Sequence, residues 1–461
     1  MNNIIIFGSG DYYQKYKRCF TKETILAIAD NNKDKIGTFI DGIKVISPYD
    51  IDKYDYDKVI ICTIYLKSIE EQLIKLGISN DKISYYFEYH IISDKKYECE
   101  DNLFCQYKNV LLITHELSLS GAPHALIEMG RVLSELGYNV ILASPKDGPA
   151  KSTAKKAGIK IIIDERLEYD NLDYIEWIYN NSFYMVVINT ILLFYLLVNI
   201  KNVNKNIVWW IHDPELAYNN IPQRVYHKID FSGIQMLAAG EIAANIFSRY
   251  NPCVPITVFH YGLNNYNLHN HKKVFNDKKI HFVMVGTVSY NKGHDILNDA
   301  LKYLSNNIKK NMTITCIGDN KNDYAKKLMK NIDSNIITFT GTIPHAAVIN
   351  EISKSDCLIC ASRQEIMSIA VNEALMLEKL VIVSDNIGNV KYIDNNVNGF
   401  TFDAENSKEL SKIMRNIINN YESASIIAEN GREIFQKYFS NTVFKENIIN
   451  LLHKIKSNEV V

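Results

Sequence analysis

Two glutamates, Glu365 and Glu373, stand with seven residues between them in the run Ser362-Arg363-Gln364-Glu365-Ile366-Met367-Ser368-Ile369-Ala370-Val371-Asn372-Glu373. The apolar run Cys357-Leu358-Ile359-Cys360 before them reads as a buried strand, and the run after Ser368 as a helix. A strand, loop and helix start is where α/β sheets hold phosphorylated ligands. With Glu365 in the loop and Glu373 on the second helical turn, the helix rise separates them by at most about 12 Å. That is the span from the sugar to the ribose of a nucleotide sugar, with the helix start facing the pyrophosphate. A solvated pair of glutamates on an ordinary helix would show the same spacing, so the context has to carry the reading.

That context continues through Lys379-Leu380-Val381-Ile382-Val383-Ser384-Asp385-Asn386-Ile387-Gly388, which completes a β-α-β unit ending in a glycine turn. Ser-x-x-Glu, seven residues, Glu-Ala, a strand and a glycine turn resembles the donor-binding motif of the retaining GT-B glycosyltransferases of family four. The resemblance covers residues 109–461 and implies a metal-independent, hexosyltransferase-type enzyme. Its donor would be a UDP-, GDP- or dTDP-sugar. Its acceptor would be a saccharide, a lipid-linked glycan or a protein, in cell-surface polysaccharide or glycoconjugate assembly.

The resemblance also implies roles. Glu365 would hold the donor sugar's hydroxyls and Glu373 the ribose. Lys292, in Val285-Gly286-Thr287-Val288-Ser289-Tyr290-Asn291-Lys292-Gly293, would supply a cation to the departing diphosphate, with Gly286 and Thr287 beside it. The family usually has Arg at the place of Thr287. Backbone amides of Met367, Ser368 and Ile369 form a second phosphate cradle, at a helix start. Gly121, in Ser120-Gly121-Ala122-Pro123 ahead of a helix expected from Ala125 to Leu136, is a third, because a residue without Cβ admits a ligand closely. Ile343 matches the place where the family's backbone meets the base. His212, after Val208-Trp209-Trp210-Ile211, ends a strand at the ligand edge, and the resemblance places it near the donor sugar. Three residues after Gly388, where the family often has Glu, this chain has Lys391. A sugar-nucleotide epimerase on the same fold, or a degenerate copy that only binds, remains an alternative.

The elements that must position these residues are α/β throughout. Strand and helix patterns alternate, which predicts two facing Rossmann-like, doubly wound lobes and a small N-terminal Rossmann-like domain. The expected boundaries are 1–105 for the accessory domain, 106–272 for the acceptor lobe and 273–461 for the donor lobe. A polar linker is expected at His269–Lys279, and the last helix, Thr442 to Ile455, is expected to cross back onto the middle unit. The first strand, Asn3-Ile4-Ile5-Ile6-Phe7, meets Gly8-Ser9-Gly10, and Ile25–Ala29 ends at Asp30, an echo of a dinucleotide site. Tyr13 stands where the third glycine would be. Whether this domain binds a nucleotide or docks a partner stays open. Asp55-Tyr56-Asp57 imitates a metal motif but precedes a strand of this small domain, so no metal is expected.

Composition bounds the rest. The 461 residues are 47% hydrophobic and 22% charged with net charge -1, an ordinary globular balance with no basic excess for nucleic acid. The eight cysteines are scattered, which suits reduced, buried thiols in a cytoplasmic protein. Cys357-x-x-Cys360 falls in a strand and reads as structural. After Met1 the chain enters an apolar strand without a basic leader, so no signal peptide is expected. Phe183 to Ile200 is long enough to span a membrane, but Asn189-Thr190 and Asn199 favour a buried strand followed by an apolar helix. Association with the inner face of the membrane, or with a complex, stays open.

Overall fold

The computed structural model describes residues 2–89, 97–99, 103–105, 108–168, 170–200, 206–265 and 279–458. The linker expected at His269–Lys279 lies outside the described residues, Lys279 excepted. The chain forms two compact units, one of Met1–Leu237 with Ile246–Thr257, the other of Ala238–Asn245 with Val258–Val461.

The first unit holds two sheets. In the first, parallel strands lie in the order Ile43–Ile46, Thr24–Ala29, Asn3–Phe7, Lys58–Ile61, Ile83–Tyr85. Ile4, Ile5, Ile6 and Val59 are fully buried, as expected of a parallel sheet covered on both faces. Strand order reverses between Asn3–Phe7 and Lys58–Ile61. There Gly8 (φ +111°) passes so close to the next turn that a Cβ would lie 2.7 Å from the Cys62 carbonyl oxygen. Asp30 is turned onto the glycine turn: its Oδ2 accepts from the Ser9 amide at 2.9 Å and from the Ser9 hydroxyl. The acid that echoes a dinucleotide site thus braces its own loop.

The second sheet carries the parallel order Ile207–Ile211, Met185–Asn189, Asn109–Ile113, Asn139–Ser144, Lys160–Ile163. Its order reverses between Asn109–Ile113 and Met185–Asn189. Glu98–Cys99 adds antiparallel to Lys160–Ile163, so this sheet reaches back before residue 105. The helix expected from Ala125 begins at Gly121 and runs to Glu135, with Pro123 in its first turn, where a missing N–H costs nothing. The apolar segment after Phe183 is a buried strand followed by 3-10 turns at Ile191–Leu197 rather than an α-helix. Among the described residues no helix is long and apolar enough to cross a membrane.

The two sheets of this unit are joined by polar and aromatic contacts. Arg224 donates from Nε to the Tyr85 hydroxyl at 2.6 Å and from Nη1 to the Asn80 carbonyl at 2.7 Å, and pairs with Glu70. Lys228 pairs with Glu88 at 2.6 Å. Phe87 meets Phe194 edge-on at 5.3 Å between centroids.

The second unit is one six-stranded parallel sheet in the order Ile337–Gly341, Met312–Ile317, Ile280–Val285, Cys357–Cys360, Leu380–Ser384, Phe400–Phe402. Counted along the chain from Ile280, this is 3-2-1-4-5-6, the doubly wound dinucleotide-fold order. Its core includes Phe282, Met284, Ile314, Ile359 and Ile382. The reversal falls between Ile280–Val285 and Cys357–Cys360, and there a ligand crevice opens in such sheets.

Candidate active site

Lys292 and Glu365 meet at this reversal. Residues 286–293 follow the first strand of the sheet, and residues 361–368 follow the fourth. Lys292 Nζ lies 2.8 Å from Glu365 Oε1, and both side chains are partly exposed, at 25% and 18%. Glu365 Oε2 accepts from the Ser362 hydroxyl at 2.9 Å, which explains the serine in Ser-x-x-Glu. Burial works against charge on Lys292, but the Glu365 carboxylate outweighs it and holds the lysine pKa above its usual value.

The two loops are riveted together. Arg363 donates its backbone N–H to the Asn291 carbonyl at 2.7 Å, and Asn291 Nδ2 donates to the Gln364 carbonyl at 2.9 Å. The Arg363 guanidinium stacks 3.6 Å above the Tyr290 ring and forks onto Asp295 at 3.0 and 2.7 Å, with Glu405 beyond. Gly286 (φ +144°) packs on the Lys292 stem, where a Cβ would lie 3.1 Å from Lys292 Cε. Thr287 is the next residue of that loop. Gly293 (φ +73°) crosses the Ala361 carbonyl so closely that a Cβ would sit 2.0 Å away.

Glu373 is 4% exposed on the helix Ile369–Met376. Its Oε1 lies 2.6 Å from His345 Nε2, and this hydrogen bond raises the His345 pKa against the opposing effect of burial. His345 starts the helix His345–Lys354, two residues after Ile343. Tyr261 is buried among these groups, and its hydroxyl has no hydrogen-bond partner among the described residues. Burial, then Glu373 and Glu365, hold it protonated.

The expected amide cradle needs correcting. The Ser368 N–H donates at 2.6 Å to Asn389 Oδ1, so it turns inward and is not available to an anion. Met367 and Ile369 flank it. Lys391 pairs with Glu241 at 2.7 Å, which accounts for a cation where the family has an acid. Cys360 lies 3.7 Å from Glu365 Oε2, and burial pushes its thiol up to about 11. Of the eight cysteines, Cys99, Cys105 and Cys253 are exposed rather than buried, and all eight are free thiols.

Gly121 and His212 belong to the first unit. Gly121 opens the helix Gly121–Glu135. His212 follows the strand Ile207–Ile211, its ring 4.6 Å from that of Trp210. Its Nε2 is buried without a hydrogen-bond partner among the described residues, and burial, with His115 adding, pushes its pKa down to about 3. His212 is therefore a neutral imidazole. The sequence reading missed His345, Tyr261 and Arg363. Arg363 stood inside the quoted motif, but its partners Asp295 and Glu405 come from other strand ends.

A doubly wound lobe with a lysine–glutamate pair at the switch point and a buried glutamate on the following helix fits the resemblance to the GT-B glycosyltransferases. The comparisons agree. Residues 267–434 match the model of the group 1 glycosyl transferases, residues 106–236 that of glycosyl-transferase family 4, and residues 1–84 the C2185-like N-terminal family. Residues 106–236 and 267–434 are thus similar to glycosyltransferase families, and residues 1–84 to a separate one. A Methanocaldococcus jannaschii protein described as an uncharacterized glycosyltransferase is 28% identical over 177 residues, 38% of this chain and 48% of that protein, so the match spans about half of that relative. Anabaena HepE, solved with UDP-glucose, superposes with a TM-score of 0.63 at 16% identity, over 76% of this chain and 100% of that one. Thermosynechococcus elongatus sucrose-phosphate synthase gives 0.60 at 14% identity, over 76% and 100%. WaaG, a glycosyltransferase involved in lipopolysaccharide biosynthesis, gives 0.56 at 13%, over 74% and 99%. The fold is GT-B.

Proposed function

We propose that the chain is a retaining glycosyltransferase that moves a hexose from a nucleotide sugar to a glycan, lipid-linked glycan or protein acceptor in cell-surface assembly. In this reading residues 273–461 bind the donor and residues 106–272 the acceptor. The carrying observation is the Lys292–Glu365 pair at the strand-order reversal of the donor lobe. The UDP and UDP-glucose complexes of HepE, a protein of the same fold, support a nucleotide-sugar donor, with UDP, GDP and dTDP as the candidate carriers.

Transfer breaks the bond from the anomeric carbon to the diphosphate oxygen and forms one to the acceptor oxygen on the same face. The acceptor's proton passes to the departing phosphate. Lys292 neutralises the charge that grows on that diphosphate, and it is worth most in a partly buried site. No metal is required in this reading, since Lys292 and the helix start take that part. Glu365 holds the sugar hydroxyls and Glu373 the ribose. Gly286, Thr287, Ile343 and the turn at Met367 and Ile369 shape the nucleotide's bed. Gly121 and the neutral His212 are assigned to ligand contacts at the strand ends of the first unit's second sheet. Replacing Glu365 with Gln should abolish transfer, and replacing Glu373 with Gln should weaken donor binding, with the fold intact in both. Full activity in both variants would refute these roles.

A further inference from the structure

In the first unit, the switch points of two Rossmann-like sheets open onto one cavity. Its volume is about 270 Å³. From the first sheet it receives Tyr12, which follows the first strand, Ile64, which follows the fourth, and Tyr86, which follows the fifth. From the second sheet it receives His115, Lys146, Glu168 and Tyr195, which follow four successive strands. Every one of these residues comes from a carboxyl-terminal strand edge, where doubly wound sheets bind ligands.

We propose that this cavity is a subsite for a neutral sugar ring of the acceptor, completed by the N-terminal domain. The inference rests on the glycosyltransferase reading. Charge argues for a neutral ligand. Lys146 pairs with Glu168 at 3.2 Å, and Lys15 pairs with the same carboxylate. His115 is kept neutral by burial, which lowers its pKa. No cation among these lining residues is left over for a phosphate. Shape and chemistry argue for a sugar. Tyr12, Tyr86 and Tyr195 give the cavity an aromatic lining suited to the C–H side of a pyranose, and the Lys146–Glu168 pair supplies donors and acceptors for its hydroxyls. The His115 Nδ1 is buried with no hydrogen-bond partner among the described residues. The volume falls just below that of drug-sized ligand cavities, which run from about 300 Å³ upward, so it suits one ring rather than a chain. Leu192 and Ile64 are exposed, at 43% and 45%, and form an open rim through which the remainder of an acceptor can leave. The N-terminal domain then serves to wall an acceptor site and not to bind a dinucleotide, which agrees with Asp30 bracing its own glycine turn.

The test is saturation-transfer NMR on the full chain with methyl glycosides of glucose, galactose, mannose, N-acetylglucosamine and rhamnose. Titration with UDP, GDP and dTDP is run on the same samples. At least one glycoside should bind at millimolar concentration. Leu192→Trp, which closes the rim, and Tyr12→Ala, which removes a stacking face, should each weaken it by at least about 5-fold, around 1 kcal/mol. Diphosphate binding should be unchanged in both. Lys146→Met, at an exposed position, guards against misfolding and should weaken the glycoside likewise. Binding that ignores all three substitutions overturns the subsite. So does a full chain that binds a diphosphate but no glycoside, and this leaves the donor reading standing. Binding of neither ligand overturns both.

Discussion

Lys292 Nζ and Glu365 Oε1 lie 2.8 Å apart although they come from different strand ends of one sheet. The first and fourth strands are neighbours only because the order reverses between them. Without a ligand each charge is the other's partner. In the proposed reading a diphosphate takes the lysine and a sugar the glutamate, with the breaking bond between them. Lys292→Ala should therefore lower turnover about 100- to 1,000-fold, the usual effect of deleting one group aimed at developing charge. Lys292→Arg should recover part of it. Steady-state kinetics beside a thermal melt separate this loss from unfolding.

Glu373 is expected to act on binding more than on chemistry. Removing a buried charged acceptor costs about 1.5–3 kcal/mol, so Glu373→Gln should raise the donor KM at least about tenfold. Its kcat should fall far less than that of Glu365→Gln. Equal losses of kcat in the two variants would contradict the division of roles.

The two histidines should titrate in opposite directions. His345 is raised above 6.5 by Glu373, so its pairing is fully present below pH 6.5 and is lost as pH rises through the higher folded value. Its imidazole should still be protonated above pH 6.5 by NMR. Glu373→Gln should bring it down.

His212 gives the opposite sign. Unfolded, it takes a proton near 6.5; folded, it resists until about 3. The unfolded state binds more protons in that window, so stability falls as pH drops from 6.5 toward 3. At about pH 5 the loss from this residue is about 2 kcal/mol. Asp213, raised to about 6 by its burial, acts in the opposite sense and is present in both proteins. On going from neutral pH to about pH 5, His212→Gln should therefore lose less stability than the parent, as read from denaturant midpoints.

Gly388 ties the second glycine turn to the site. Its N–H donates to the Glu365 carbonyl at 2.9 Å, and a Cβ there would sit 1.8 Å from the Ile366 carbonyl oxygen. Gly388→Ala must displace the Glu365 loop. A loss of about 1–3 kcal/mol of stability is expected, with weakened diphosphate binding. Calorimetry and a thermal melt read both.

The strands were legible because parallel strands buried on both faces are uninterrupted apolar runs, as in Asn3–Phe7 and Leu380–Ser384. The Ser-x-x-Glu loop and the helix carrying Glu373 were legible from the same pattern. Contacts between strand ends were not, since they depend on strand order. That is why Lys292 and Glu365 were named separately and His345 was not named at all. The helix from Gly121 was read four residues short because Ser118–Pro123 carries turn residues that here form its first turn. The Ser368 amide was assigned to a phosphate because no sequence pattern announces Asn389 as its acceptor.

The most direct test is calorimetric titration of the full chain and of Lys292→Ala with UDP, GDP and dTDP. The account predicts that one of these diphosphates binds the parent and binds the variant at least about tenfold more weakly, about 1.4 kcal/mol. A diphosphate that binds both proteins equally, or no binding by any of the three, would contradict it.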